Sequence, residues 1–396
     1  MSNFADSNRT QVSFVEETTW GTTPSGPNMK VLPITSESLK SDINTVTSET
    51  IRADRNVEDI IKVGGGASGD IGFEMRFSDW DAFIEGALQD TFTNTIVSTN
   101  VASARFSGAH IQADNSALVA LVSGQFIRVK NATTSSNDGD YRVTHVSSLG
   151  GGGYVAFLAD ASSGNAASFT SEVFAASTRM QGKMARNGTT PKSYTIEKQF
   201  QDVASAVHQF PGMRVGSMSL NIESRAILTG SFSFTGKGIT VTSATIASTT
   251  TPASNNSVMN ASGNVGRIWE GGETISGIVF KSISIELANN PREQDKVGSD
   301  QLAGVATGRC EVTGSLSAYF ENNDVLNKFV NGTSTLLRFQ VDDADGQSII
   351  ITIPNVRLTE GNVAAGGGNA DIMQDFSWGA YIDDTGTYAI QFDILD

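Results

Sequence analysis

The sequence predicts a mainly β protein: a duplicated antiparallel β-hairpin and β-sandwich fold with short flanking helices, carrying an inserted small β-barrel or sandwich. Three observations carry this reading. Apolar and polar residues alternate in many short runs, which gives a strand one buried and one wet face. One alternating motif built around a glycine recurs along the chain. The composition, with 40 Gly and 8 Pro, suits strands joined by tight turns.

The recurring motif reads ASGDIGFEMRF at 67–77, ILTGSFSFTG at 227–236 and CEVTGSLSAYF at 310–320. Aligned on Gly69, Gly230 and Gly314, the even offsets are Ile71, Phe73, Met75 and Phe77, then Phe232 and Phe234, then Leu316, Ala318 and Phe320. The shared glycine falls on the buried phase, where a side chain would clash or a bulge is needed. Each copy has an alternating partner upstream: ITSESLKSDI, VGSMSLNIES and FKSISIELA. Three antiparallel hairpins are expected. The middle one is closed by residues 223–227, and the outer ones by the long stretches 44–66 and 288–309. Structureless connections of that length are uncommon in compact domains and are usually functional.

After the outer hairpins the period changes. SDWDAFIEGAL places Trp80, Phe83, Ile84, Ala87 and Leu88 on one helical face, with Ser78 or Asp79 as cap. ENNDVLNKFVNGT repeats the plan with Val325, Phe329 and Val330, an Asn cap and Gly332 as the stop. Two further hairpins are expected at the C-terminal end, LLRFQV-DDADG-QSIIITI and FSWGAYI-DDTG-TYAIQFDI, with GNVAAGGGNA as a flexible connection between them. Ahead of the first repeat, VEETTWGTTP has no counterpart before the others. Trp20 reads as the anchor of this N-terminal loop, and the surface it covers is either its own sandwich or the subunit beside it.

Residues 95–180 follow a pattern of their own. Phe126 and Arg128, and Tyr141 and Val143, mark two neighbouring strands with NDGD as the turn, and several short strands fit in this stretch. The domain reading is therefore a discontinuous, internally duplicated β domain, 1–94 and 181–396, with a small β domain inserted at 95–180.

A net charge of −15 argues against a nucleic-acid-gripping surface. One cysteine, Cys310, excludes an internal disulfide. MSNFADSNRT has no apolar signal region, and the longest apolar run, 117–122, is too short to span a bilayer. A soluble protein of a reducing compartment, with no membrane partner, is the expectation.

Enzymatic signals fail on context. GGGASG (64–69) fits G-x-G-x-x-G, but an alternating strand follows where a dinucleotide site needs a helix. In DDADG, with Gly346 at position six of a calcium loop, Val341 and Thr352 occupy the ligand positions one and twelve. The histidines His110, His145 and His208 have no metal-ligand spacing, and no nucleophile elbow is present. No enzyme activity, cofactor or metal is expected. The charged arms SETIRADRNVED and NNPREQDKVGSD are different. Their close mixture of signs fits either solvated loops or inter-subunit docking arms, with Glu49, Arg52, Asp54, Arg55, Arg292 and Asp295 as the residues that would pair with a neighbour.

EETTWGTTP, SETIRADRN and GGASGDIGFEMRF resemble the N-terminal half of tail tube proteins (major tail proteins) of long-tailed, non-contractile bacteriophages. SYTIEKQFQDV, QFPGMRVGSMSLNI and AILTGSFSFTGKG resemble the central signature of that family, and QDFSWGAYIDDTGTYAIQFDI its closing segment. The resemblance spans roughly 10–94 and 180–396. It implies a structural virion protein, assembled in the host cytoplasm, whose subunits form homohexameric rings that stack into the tail tube. It implies a lumen holding the tape-measure protein and later passing DNA without specific binding, and terminator and tail-tip proteins as further partners. The acidic and hydroxylated strand phase then becomes an acidic lumen. The alternatives are another tail ring protein, such as a terminator, or a β-rich decoration or adhesin module.

Overall fold

The computed structural model describes residues 4–95, 104–113, 118–161, 163–261, 265–270, 273–274, 279–365 and 367–396. Strands dominate them, and two eight-residue helices, α1 (Asp81–Leu88) and α2 (Asp324–Asn331), flank the sheets.

The alternating runs assemble into one antiparallel sheet of eight neighbouring strands. Their order is Lys40–Thr47, Ile60–Glu74, Thr229–Gly236, Val207–Glu223, Phe280–Ala288, Glu311–Tyr319, Met373–Tyr381 and Ser348–Ala364. The three glycine-centred hairpins stand side by side here, but they are not three copies of one unit. The first four strands form one unit and the last four repeat it. In each, a strand, an arm, a second strand and a helix come first in the chain. A 17-residue strand and its hairpin return follow. Both long strands carry a bulge at the same place, between Val215 and Ser217 and between Leu358 and Glu360. Gly69 lies opposite Phe234, and Gly314 lies opposite Trp378. The middle hairpin is therefore the second half of the first copy, and its counterpart is the hairpin of Ser348–Ala364 with Met373–Tyr381. The sequence motif could not separate the two cases, because every strand with one buried face shows the same alternation.

Both long strands also leave the sheet to build a second layer. The first part of Val207–Glu223 pairs with Tyr194–Phe200, which pairs with Thr10–Glu16. The first part of Ser348–Ala364 pairs with Thr335–Asp342, which pairs with Val265–Glu270. The apolar phase of the eight-stranded sheet, these layers and the helices enclose one continuous core. Phe73 stacks on Phe232 at 4.8 Å, and Phe83 of α1 meets Phe234 edge-on at 5.0 Å. Such ring pairs add about 1 kcal/mol each beyond the area they bury.

Several expectations change. The N-cap of α1 is Trp80 rather than Ser78 or Asp79, and it makes no side-chain cap bond. Asp79 is engaged elsewhere: its carboxylate accepts from the backbone N–H and hydroxyl of Ser254. In α2 the capping oxygen belongs to Asn322, which accepts from the Asp324 N–H at 2.9 Å, and Gly332 ends the helix at φ 61°. The first C-terminal hairpin forms, with Asp342 opposite Ser348. The second does not. Its turn closes through the Gly386 N–H to the Asp383 carbonyl, but the strands part. Met373–Tyr381 stays in the main sheet, while Gln391–Leu395 pairs with Ser348–Thr352 and with Lys183–Arg186. Residues 361–364 of the supposed flexible connection are strand, paired with 373–376. The long stretches 44–66 and 288–309 are also not structureless. The first hairpin continues out to Thr47 and Ile60, and Arg292–Gln294 pairs with Gly304–Ala306.

Between Arg105 and Arg186 a further antiparallel run of strands has the order Phe169–Val173, Arg105–Gly108, His110–Ala113, Gly153–Asp160, Gly139–Gly150, Phe126–Lys130, Arg179–Arg186, and its last strand joins the main body by pairing with Gln391–Leu395. No pairing among the described residues closes this order into a barrel. Its own core includes Phe106, Ile111, Ile127, Val143, Leu158 and Phe169. Phe126 and Ala161 pack on Ile350 and Leu395 of the main body. Beside them Arg128 pairs with Asp140 and donates to the Ser348 hydroxyl at 2.7 Å.

Candidate functional site

The side of the eight-stranded sheet facing away from the core is a continuous polar surface. Strict alternation places Ser217, Ser219, Ser231, Ser233, Ser284 and Ser315 there, in cross-strand pairs. The hydroxyls of Ser217 and Ser233, Ser219 and Ser231, and Ser284 and Ser315 share hydrogen bonds of 2.8–2.9 Å. Asp70, Glu74, Glu223, Glu286, Glu311 and Asp375 lie on the same face. Basic residues on it are few: Arg214 lies opposite Thr235 and donates to the Val305 carbonyl of the second arm, and Lys40 and Arg357 sit on the two outer strands. A face of hydroxyls satisfied by one another, with carboxylates outnumbering cations, repels phosphate and leaves few donors to hold it. It can line a passage for a polyanion without binding it.

The arms lie at one end of this sheet. Glu49, Arg52, Asp54 and Arg55 occupy the exposed tip between Thr47 and Ile60, while Arg292 and Asp295 are exposed on the second arm. Arg52 pairs within its own tip, 3.0 Å from Asp54 and 3.9 Å from Glu58. The Arg52 guanidinium holds the Asp54 carboxyl down at about 2. The structure also brings the two arms together: Lys62 reaches Asp300 at 3.0 Å, and Leu302 is buried close to Gly66. Charge patterning pointed to the tips but missed the apolar surface. Ile43, Val46, Val57, Ile61 and Val63 are exposed on the first arm, with Ile51 at 97% and Ile60 at 64%. Exposed apolar clusters of this kind mark contact surfaces. The available signal was a run of Ile and Val that fits no buried phase.

Trp20 lies against its own subunit. Its indole N–H donates to the Gly212 carbonyl at 2.9 Å, and its ring covers Gly212, which has φ 72°. Beside it the buried Glu17 carboxylate accepts four hydrogen bonds, from the N–H groups of Gly21 and Gly212 and the hydroxyls of Ser193 and Thr195, at 2.7–2.8 Å. Glu17→Ala strands those donors and is expected to cost roughly 2–3 kcal/mol. Thermal unfolding and proteolysis at the Trp20 turn would register the change.

The remaining reactive groups are quiet. Burial pushes the Cys310 thiol up to about 11, away from thiolate chemistry. Burial, then the Lys198 charge, lowers the His208 pKa. Among the described residues there is no group of three or more His, Cys, Asp or Glu that could hold a metal, and no helix long and apolar enough to cross a membrane.

A search of curated proteins finds no match. A family model described as phage tail tube protein matches residues 7–380, which takes in both four-stranded units, the arms and the intervening 95–180 region. By that match across nearly its whole length, this chain belongs to the phage tail tube protein family.

Proposed function

We propose that copies of this chain close into rings, that the rings stack into the tail tube, and that the acidic, serine-rich sheet face lines the lumen. The observation carrying this reading is the eight-stranded sheet itself: one face is sealed by the core, the other is polar and rich in hydroxyls and carboxylates, and both outer strands have an open edge among the described residues. Open edges invite pairing with another chain, and ring closure removes them. The lumen first holds the tape-measure protein and then passes the genome, while terminator and tip proteins bound the tube. Assembly takes place in the host cytoplasm, and the mature location is the virion tail. The region 95–180 forms a distinct domain on the outside, since it joins the body through Phe126 and Arg128 on the layer behind the channel sheet. No catalytic step enters this role.

Electron microscopy of the purified protein tests the reading: tubes or stacked rings are expected. Isolated rings that never stack would favour a terminator, and monomers that bind glycans an adhesin. The arms, through Glu49, Arg52, Asp54, Arg55, Arg292, Asp295 and the apolar residues around them, bridge subunits and rings. Arg52→Glu combined with Arg55→Glu is expected to abolish tubes while leaving a folded monomer, because both side chains are exposed. Tubes of normal length from this double variant would refute the arm assignment.

A further inference from the structure

Building on the ring reading above, we infer that each ring contains three chains, joined by antiparallel pairing of the Lys40–Thr47 edge of one copy with the Arg357–Ala364 edge of the next. Three observations converge. First, the sheet ends in two open edges. Lys40–Thr47 pairs only with Ile60–Ser68, and residues 357–364 pair only with residues 373–379, among the described residues. Eight alternating strands make the two edges run in opposite directions, so joining them continues the antiparallel pattern.

Second, the chain already contains this junction once. Where the first four-stranded unit meets the second, Leu220 stands opposite Ile285 and Ser219 opposite Glu286. The common bulge and the glycine–aromatic pairs align Leu220 with Val363, Ser219 with Asn362, Ile285 with Leu39 and Glu286 with Lys40. The junction between copies then places Val363 opposite Leu39 on the apolar side and Asn362 opposite Lys40 on the polar side. Leu39 is buried and Lys40 exposed, as that assignment needs.

Third, the strand count fits a duplex-sized bore. Strands about 4.8 Å apart, tilted by roughly 40°, give a 24-stranded barrel a backbone diameter of about 45–50 Å, and a bore of about 35–40 Å inside the side chains. Duplex DNA is about 20 Å across. Two chains leave a bore hardly wider than the duplex itself, with no space for its hydration and counterions. Six chains, the number the family resemblance implies, give about twice the barrel diameter, several times the width of the duplex. Because each chain supplies two ring units, three chains make a ring of six similar units.

The test uses full-length protein carrying Lys40→Cys and Asn362→Cys in a Cys310→Ser background, assembled and treated with a short thiol-to-thiol cross-linker. A covalent ladder ending at three chains is expected, together with threefold symmetry in end-on images of rings. A ladder ending at six, or sixfold rings, overturns the count while leaving the tube reading intact. Tubes with no covalent ladder overturn the edge pairing. Unmodified protein that forms neither rings nor tubes removes the underlying tube reading instead.

Discussion

Gly314→Val is expected to destabilise the protein by about 3 kcal/mol or more, with much of the chain insoluble on expression. A Cβ at Gly314 would run into the Ser284 carbonyl and the Trp378 indole, so both neighbouring strands would have to move. The sheet cannot absorb this locally, because Gly314 is held by Ile285 on one side and Trp378 on the other. Gly379 supplies the control. It lies on the adjacent strand, and the nearest atom to its Cβ would be a Thr359 methyl at 3.9 Å. Gly379→Ala is expected to change stability by less than about 0.5 kcal/mol. Denaturant unfolding of both variants decides the matter: equal effects would show that the ring-over-glycine contact is not what fixes this sheet. The same test extends to Gly69, whose Cβ would meet Leu39 Cα at 2.6 Å and whose φ is 146°.

These glycines also show where the sequence could be read and where it could not. Gly69 and Gly314 stood out because a glycine interrupts an otherwise apolar phase, and that phase was right. The buried faces of the glycine-centred strands, the existence of the two helices and the Phe126–Tyr141 strand pair follow from periodicity, but Val330, expected on the apolar face of the second helix, is 72% exposed, and Gln391–Leu395 is buried throughout with no alternation to read. The order of the repeats was hidden, because Gly230 imitates the motif while Gln374, its counterpart in the second unit, does not. Alternation records which face is buried and is silent about which strand lies next door. The failed hairpin at Asp383–Gly386 has the same origin. Turn residues specify the bend, but pairing went to the strands offering the longer apolar match, Ser348–Thr352 for one arm and Glu311–Tyr319 for the other. At the candidate site, the charged arm tips were legible as sign-mixed loops. The serine face was legible only as a polar phase, since its continuity over eight strands depends on the order of the sheet. The contact between the arms, Lys62 with Asp300, joins residues 238 positions apart and left no local trace.

The second large effect lies where the inserted sheet meets the body. Asp393 is wholly buried on the closing strand, and its carboxylate accepts from the Phe126 N–H at 2.9 Å and the Gln391 amide at 2.7 Å. Burial pushes its pKa up to about 7, against the pull of those hydrogen bonds and of the Arg338 and Arg186 charges. The Arg338 guanidinium lies over the Phe126 ring at 4.8 Å and donates to the Thr352 hydroxyl. Arg186 donates to the Gln391 side-chain Oε1 at 2.8 Å and lies over the Tyr388 ring. A carboxyl whose folded pKa lies above its unfolded value near 3.8 binds its proton more tightly in the folded state. Its contribution to stability is therefore full below about pH 4 and is lost as pH rises through about 7. The loss amounts to a few kcal/mol, at about 1.4 kcal/mol per pKa unit. Asp393→Asn keeps an acceptor for the Phe126 N–H and removes the charge. Relative to the native chain, the variant is expected to gain stability as pH rises from about 4 to about 7, with the difference flat below about pH 4 and level again above the folded pKa. Parallel unfolding curves for the two proteins across that range would mean that Asp393 does not titrate between the folded and unfolded states. Because the strand carrying Asp393 also holds Phe126, the early unfolding at high pH is expected to begin at the inserted sheet. Hydrogen exchange at Phe126–Lys130 should therefore accelerate before exchange at Thr229–Gly236 in the eight-stranded sheet.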